Sequence, residues 1–169
     1  MKTLILYATK TGTTKKCAAL LSARLGAENT DMRDIADGEP SLSAYDTLVL
    51  GSPVRLGRVD PRISGFIERH KPEIMMMRLG VFTCGCLPDR AADAFSKNFS
   101  LDLIEHAICM DTFGGELKPE KLRGTDRLIV KMMEAAAKTD ERFRPVTRLL
   151  PDSMANFARE LKKSAGEPV

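Results

Sequence analysis

The sequence predicts an α/β domain built as a doubly wound parallel sheet, and three observations carry that expectation. Short apolar runs alternate with longer amphipathic ones, the pattern of successive β-α-β units. The first apolar run, Thr3 to Ala8, is unbroken, as in a central strand covered on both faces. It leads into a Thr- and Gly-rich turn and then a helical pattern, the place where such sheets hold ligands.

Thr13 to Leu25 reads as the first helix, with Cys17, Leu20, Leu21 and Leu25 at helical spacing and Gly26 ending it. Thr30 to Ile35 is a weaker strand, and Thr47 to Leu50 a buried one that stops at Gly51. Asp60-Pro61 supplies an N-cap and a first-turn proline for a helix running to about His70. Leu79 to Cys84 is the fourth strand, Asp89 to Ile104 a helix with Phe95, Phe99 and Leu103 on one face, and Ala107 to Phe113 the fifth strand. A last helix starts at Asp152 after Pro151 and buries Met154, Phe157, Ala158 and Leu161. Residues 1–165 therefore form one domain, with a loose tail at 166–169. Between the fifth strand and the last helix lies an insert, about 119–148. There Leu122, Ile129, Met132, Met133 and Ala136 make an apolar stripe, with Lys121, Arg127, Lys131 and Lys138 mostly on other faces.

Hydrophobic residues make up 43% and charged residues 29% of the 169, the balance of a globular chain with one substantial core. No apolar run is long enough to span a bilayer, and the N-terminal run is too short for a signal peptide, so the expected location is cytoplasmic. The net charge of +3 is too weak to suggest nucleic acid. From Lys118 to Arg148 nine basic residues face five acidic ones, so the basic excess is concentrated in the insert. Cys17, Cys84, Cys86 and Cys109 show neither zinc-ligand pairing nor a disulfide framework and read as reduced thiols.

The turn Thr9-Lys10-Thr11-Gly12-Thr13-Thr14 is the strongest candidate site. A helix N-terminus points unsatisfied N–H groups outward, the threonines add hydroxyl donors, and Gly12 lets the backbone approach closely. Neither the G-x-x-x-x-G-K-[ST] pattern nor G-x-G-x-x-G is present, which favours a small monophosphate ligand. Two further strand ends, Ser52-Pro53-Val54-Arg55-Leu56-Gly57 after Gly51 and Thr83-Cys84-Gly85-Cys86 before Leu87, are rich in Gly and small residues, so their backbone amides can reach a flat heterocycle. Each could instead merely turn the chain; three at neighbouring strand ends point to a site. His70 and His106 sit near helix C-termini, an ordinary place for a polar cap, and Met75-Met76-Met77 reads as adaptable packing. Cys84 and Cys86 read as loop thiols more readily than as a strained redox pair.

Thr9 to Thr14 resembles the T-x-T-G-x-T phosphate loop of flavodoxins, and the element order fits that family along almost the whole chain. The resemblance implies a flavodoxin-like five-stranded parallel sheet in the order 2-1-3-4-5 with bound FMN. A closer resemblance is to the menaquinone-dependent protoporphyrinogen dehydrogenases, flavodoxin-fold proteins with a long basic insert before the last helix. It rests on Met1 to Leu6, Arg55-Leu56-Gly57, Asp126-Arg127-Leu128-Ile129 and Asn156 to Leu161. The chain departs from the acidic electron-carrier flavodoxins: its pI is about 8.7, it has no Trp, and neither flavin loop contains Tyr or Phe. Leu56 or Cys84 would then meet the flavin, and Arg55 would stand as a cation beside its N1/C2=O edge or as a solvated loop arginine. The implied function is an FMN-dependent oxidoreductase or electron-transfer protein, with a redox partner protein or quinone as its counterpart. The alternatives are protoporphyrinogen IX oxidation with a quinone at the membrane surface, with peripheral contact through the basic insert, and a cofactor-less interaction module. Oligomeric state stays open.

Overall fold

A computed structural model describes residues 2–116 and 124–166. Five parallel strands form the sheet: β1 Thr3–Tyr7, β2 Thr30–Asp34, β3 Thr47–Arg55, β5 Arg78–Cys84 and β6 Cys109–Thr112. Their order is β2-β1-β3-β5-β6, with the two-residue β4, Arg58–Val59, folded back antiparallel on β3. Setting β4 aside, this is the expected 2-1-3-4-5 arrangement. The helices are α1 Thr13–Leu25, α2 Pro61–Ile74, α3 Ala91–Asn98, α4 Leu101–His106, α5 Thr125–Ala136 and α6 Pro151–Ser164.

The period-2 alternation of the strands divides the core into two layers. Leu4, Leu6, Leu48, Leu50, Leu79 and Val81 face α2, α3 and α4. Ile5, Tyr7, Val49, Phe82 and Cys84 face α1 and α6. In the second layer Phe82 stacks on Phe113 at 4.5 Å, and Phe157 of α6 meets Phe113 edge-on at 5.2 Å.

Several boundaries differ from the sequence expectation, most of them for a tertiary reason. β3 does not stop at Gly51; it stays in register with β5 from Thr47↔Arg78 to Pro53↔Cys84 and ends in the β4 hairpin. α2 continues past His70 to Ile74 with Pro72 inside its last turn, burying Ile74. The helix expected from Asp89 to Ile104 is broken at Phe99 and Ser100, both extended. The cause is Asn98: its amide donates to the carbonyls of Ala94 (2.7 Å) and Gly57 (2.8 Å), while its oxygen accepts from the N–H of Val59 (3.0 Å). These bonds tie the end of α3 to the β3–β4 hairpin. The last helix begins one residue early, with Pro151 in its first turn, where a missing N–H is harmless. Of the expected tail 166–169, residues 167–169 lie outside the described part, as do Lys118, Lys121 and Leu122 of the insert. No described helix is long and apolar enough to cross a membrane.

Candidate functional site

The first wall of the site is the turn between β1 and α1. Gly12 has φ +91°, a left-handed conformation open to glycine, and nothing stands within 4 Å of where its side chain would begin. Its N–H donates to Thr9 Oγ1 (3.1 Å), and its carbonyl accepts the first helical bond from Lys16 N (3.0 Å). Among the described residues no side chain caps α1, so its first-turn amides point outward with neither helix nor cap to receive them. Thr11 is exposed, whereas Thr13 and Thr14 are buried.

The second wall is the β3–β4 hairpin. Leu56 and Gly57 form its two-residue loop at φ 50° and 75°. That turn needs two left-handed residues, and leucine is a costly choice for the first. Leu56 is also 72% exposed, so a strained apolar side chain stands at the lip of the site. Ser52 has a structural duty: its hydroxyl donates to Pro53 O (3.0 Å) and accepts from Asp60 N (2.9 Å).

The third wall, Thr83 to Leu87, is held from the sheet edge: Gly85 N donates to Gly114 O (3.0 Å) and Phe113 N to Thr83 O (2.9 Å). Cys84 is buried beside Cys17, and the neighbouring thiol together with burial pushes its pKa well above the ordinary thiol value; the Thr14 hydroxyl opposes this. Burial alone pushes Cys86 up to about 11. Both are therefore neutral thiols that present soft, uncharged surface.

These walls enclose a cleft of about 470 Å³. Of the residues expected at the site, all but Thr9, Gly12 and Ser52 line it. Arg55 lines it from the end of β3, opposite Arg58 in the hairpin. Other lining residues were not foreseen. Arg90 precedes α3, Asp93 and Ala94 lie in its first half and Lys97 in its last turn. Glu116 follows β6 and meets Lys16 of α1 at 2.7 Å, a pairing across 100 positions that no local pattern reveals. The insert supplies the apolar roof: Ile129, Val130, Met132, Met133, Ala136 and Phe143. The stripe was visible as an amphipathic pattern, but not its target, and Phe143 brings the aromatic ring that the strand-end loops lack. Among the described residues the two carboxylates on the lining are engaged, Asp93 with Arg90 (2.8 Å) and Glu116 with Lys16. His106 is spent on Met77 O (2.9 Å), and His70 sits against Phe66 and Glu39; neither reaches the cleft. The site thus offers outward-pointing amides and hydroxyls at one end and, beside them, a mainly apolar cleft with Arg55, Arg90 and Lys97 on its wall.

The chain is 26% identical over 180 residues to the Escherichia coli (strain K12) protoporphyrinogen IX dehydrogenase [quinone], covering 99% of this chain and 98% of that protein. The Fusobacterium nucleatum flavodoxin bound to flavin mononucleotide superposes with a TM-score of 0.56 at 13% identity, covering 97% and 99% of the two chains. Rubredoxin oxygen:oxidoreductase of Desulfovibrio gigas superposes with a TM-score of 0.57 at 15% identity; the match covers 96% of this chain and 36% of that one. The flavodoxin domain model matches residues 4–143, from the first strand through Phe143 of the insert, and the chain belongs to that family.

Proposed function

We propose that this protein is an FMN-binding redox protein. The observation that carries the reading is the uncapped N-terminus of α1, with Gly12 at its head, opening onto an apolar cleft between two further strand-end loops. The phosphate would lie on the α1 amides with the hydroxyl of Thr11, and a flat ring system between the Pro53–Gly57 and Thr83–Cys86 loops. Bound FMN supplies the electron chemistry. The chain's own part is to position that ring, keep the slot dry with Leu56, Cys84 and Cys86, and set the local charge through Arg55. The test is a titration of apoprotein with FMN and with riboflavin. It should yield a flavin spectrum at about one FMN per chain and markedly tighter binding of FMN. Equal affinity for the two would remove the phosphate assignment.

A second, narrower reading is a quinone-linked dehydrogenase of a porphyrinogen, the activity in the name of the Escherichia coli relative. What favours it is the insert: Ile129, Met132 and Met133 line the same cleft as the strand-end loops, giving an apolar compartment beside the flavin position. The exposed Leu128 and Met132 lie among the exposed Arg127 and Lys131, a surface suited to an anionic membrane in which a quinone dissolves. Co-sedimentation with phosphatidylglycerol vesicles should fall with salt and with neutralisation of Arg127 and Lys131. Failure to bind even at low salt leaves the soluble redox role, with a protein partner, as the better reading.

A further inference from the structure

The insert returns to the core through a constructed contact. Arg90, the residue before α3, holds its guanidinium against Asp93 Oδ2 through Nε (3.0 Å) and Nη2 (2.8 Å). The plane so fixed lies over the ring of Phe143, with Cζ 4.3 Å from the ring centre. Phe143 is presented by an equally fixed turn, Glu141–Phe143. Asp140 accepts from the Arg142 amide (3.0 Å) and grips the Arg142 side chain through both carboxylate oxygens. The Asp140 carboxyl is held below the usual range chiefly by its bonds to Arg142, with Arg90 adding a smaller pull across the joint; the pKa of the Arg142 guanidinium is raised chiefly by Asp140, with Asp93 adding to it. Three residues later Val146 N donates to Cys86 O (2.7 Å), inside the loop that supplies Cys84 and Cys86 to the cleft. Arg90, Asp93 and Phe143 themselves line that cleft.

We propose that Arg90 is a positioning residue: oriented by Asp93, it clasps Phe143 and so holds α5 with its apolar face over the cleft. The inference rests on the reading that this cleft takes the redox ligands, but its primary test does not. Trypsin cuts within α5 and just after it, at Lys131 and Lys138, report how often the segment lifts, and mass spectrometry reads each site separately. Arg90→Gln and Phe143→Leu should each speed cleavage there by about two- to fivefold, the scale of a partly exposed cation–π contact. The double variant should be no faster than the faster single one, and Phe143→Tyr should restore the wild-type rate. Thermal unfolding should stay within about 2 °C of wild type, separating a lifted insert from a damaged core. In holoprotein the readout is turnover rather than FMN affinity, because Arg90 and Phe143 line the same cleft. With a soluble quinone as acceptor, KM should rise while kcat changes little.

Unchanged cleavage in Arg90→Gln, or single-variant effects that simply multiply, would overturn the clasp. So would a variant that weakens an anionic acceptor while cleavage stays at the wild-type rate, since Arg90 would then be a direct ligand contact. Failure to bind FMN would remove the functional reading and leave the cleavage result standing.

Discussion

Leu56→Asn separates what the hairpin does for the fold from what it does for a ligand. Leu56 sits at φ 50° in a turn whose next residue, Gly57, is also left-handed. The Cβ of an L-residue carries roughly 1–2 kcal/mol of cost there, which asparagine offsets by hydrogen-bonding its short polar side chain to the local backbone. Because Leu56 is 72% exposed, the exchange forfeits only about a quarter of its burial, roughly 0.4–0.8 kcal/mol. The net expectation for apoprotein is a gain of about 0.5–1 kcal/mol, or about 1–4 °C in Tm for a chain of this length. The same exposed surface is what a bound ring system would cover, worth at most about 1–2 kcal/mol, so FMN affinity should weaken by up to about thirtyfold. Thermal unfolding of apoprotein and fluorescence titration with FMN measure the two effects on one sample. An apoprotein Tm more than about 2 °C below wild type would show that Leu56 is held by packing and that the strain argument fails. A raised Tm with unaltered FMN affinity would keep the strain argument and remove Leu56 from the ligand's surroundings.

Other outcomes follow from the same geometry. Asn98→Ala leaves the Val59 N–H, in a residue only 6% exposed, without its acceptor; the expected loss is about 1–3 kcal/mol, read as a fall in Tm of roughly 2–10 °C. Thr11→Ala should weaken FMN about tenfold and leave riboflavin unchanged in parallel titrations, as expected for one hydrogen bond to a charged group. Thr14→Ala should also lower Tm, because Thr14 is 1% exposed and its hydroxyl reaches the Cys84 thiol. With its pKa near 11, Cys86 is almost wholly protonated at pH 8, so iodoacetamide should modify it about tenfold more slowly than a free thiol, after allowance for the greater nucleophilicity of a more basic thiolate. The raised value also sets a direction for stability. The unfolded chain loses this proton first as pH rises, so the stabilisation is complete below about pH 8.5 and is lost on the way to pH 11, measurable by urea unfolding across that range.

The strands were legible because their signal is local: Leu4, Leu6 and Ala8 alternate with Ile5 and Tyr7, and each set meets its own helical layer. Gly12 was legible for the same reason, since a turn that opens a helix after a buried strand leaves little freedom in what it does. Legibility ended where distant partners decide. Gly51 reads as a stop, yet the ladder to β5 carries the strand beyond it. Nothing between Asp89 and Ile104 marks a break until Asn98 is seen to bond Gly57 and Val59, some forty residues earlier. The site followed the same rule. Three loops at strand ends could be read one at a time, but Glu116 enters through Lys16 and Phe143 through Arg90. The insert showed its apolar stripe without showing what the stripe would face.

Where the insert leaves the sheet, it also comes back. Gly115 N bonds Arg148 O (3.2 Å), Gly114 and Leu149 form an antiparallel bridge, and Leu150 N reaches Phe113 O (3.0 Å). Gly114, at φ +73°, brings the two strands so close that a Cβ there would lie 2.3 Å from Arg148 O. The segment is therefore a detour whose two ends are already buttoned together, with β6 and α6 continuous across the button. Chain added or removed beyond such a point changes closure entropy only logarithmically, by about 0.6 kcal/mol per doubling of length. A change of length within the insert therefore costs the fold little, and the sheet beneath keeps its register whatever span the roof is given.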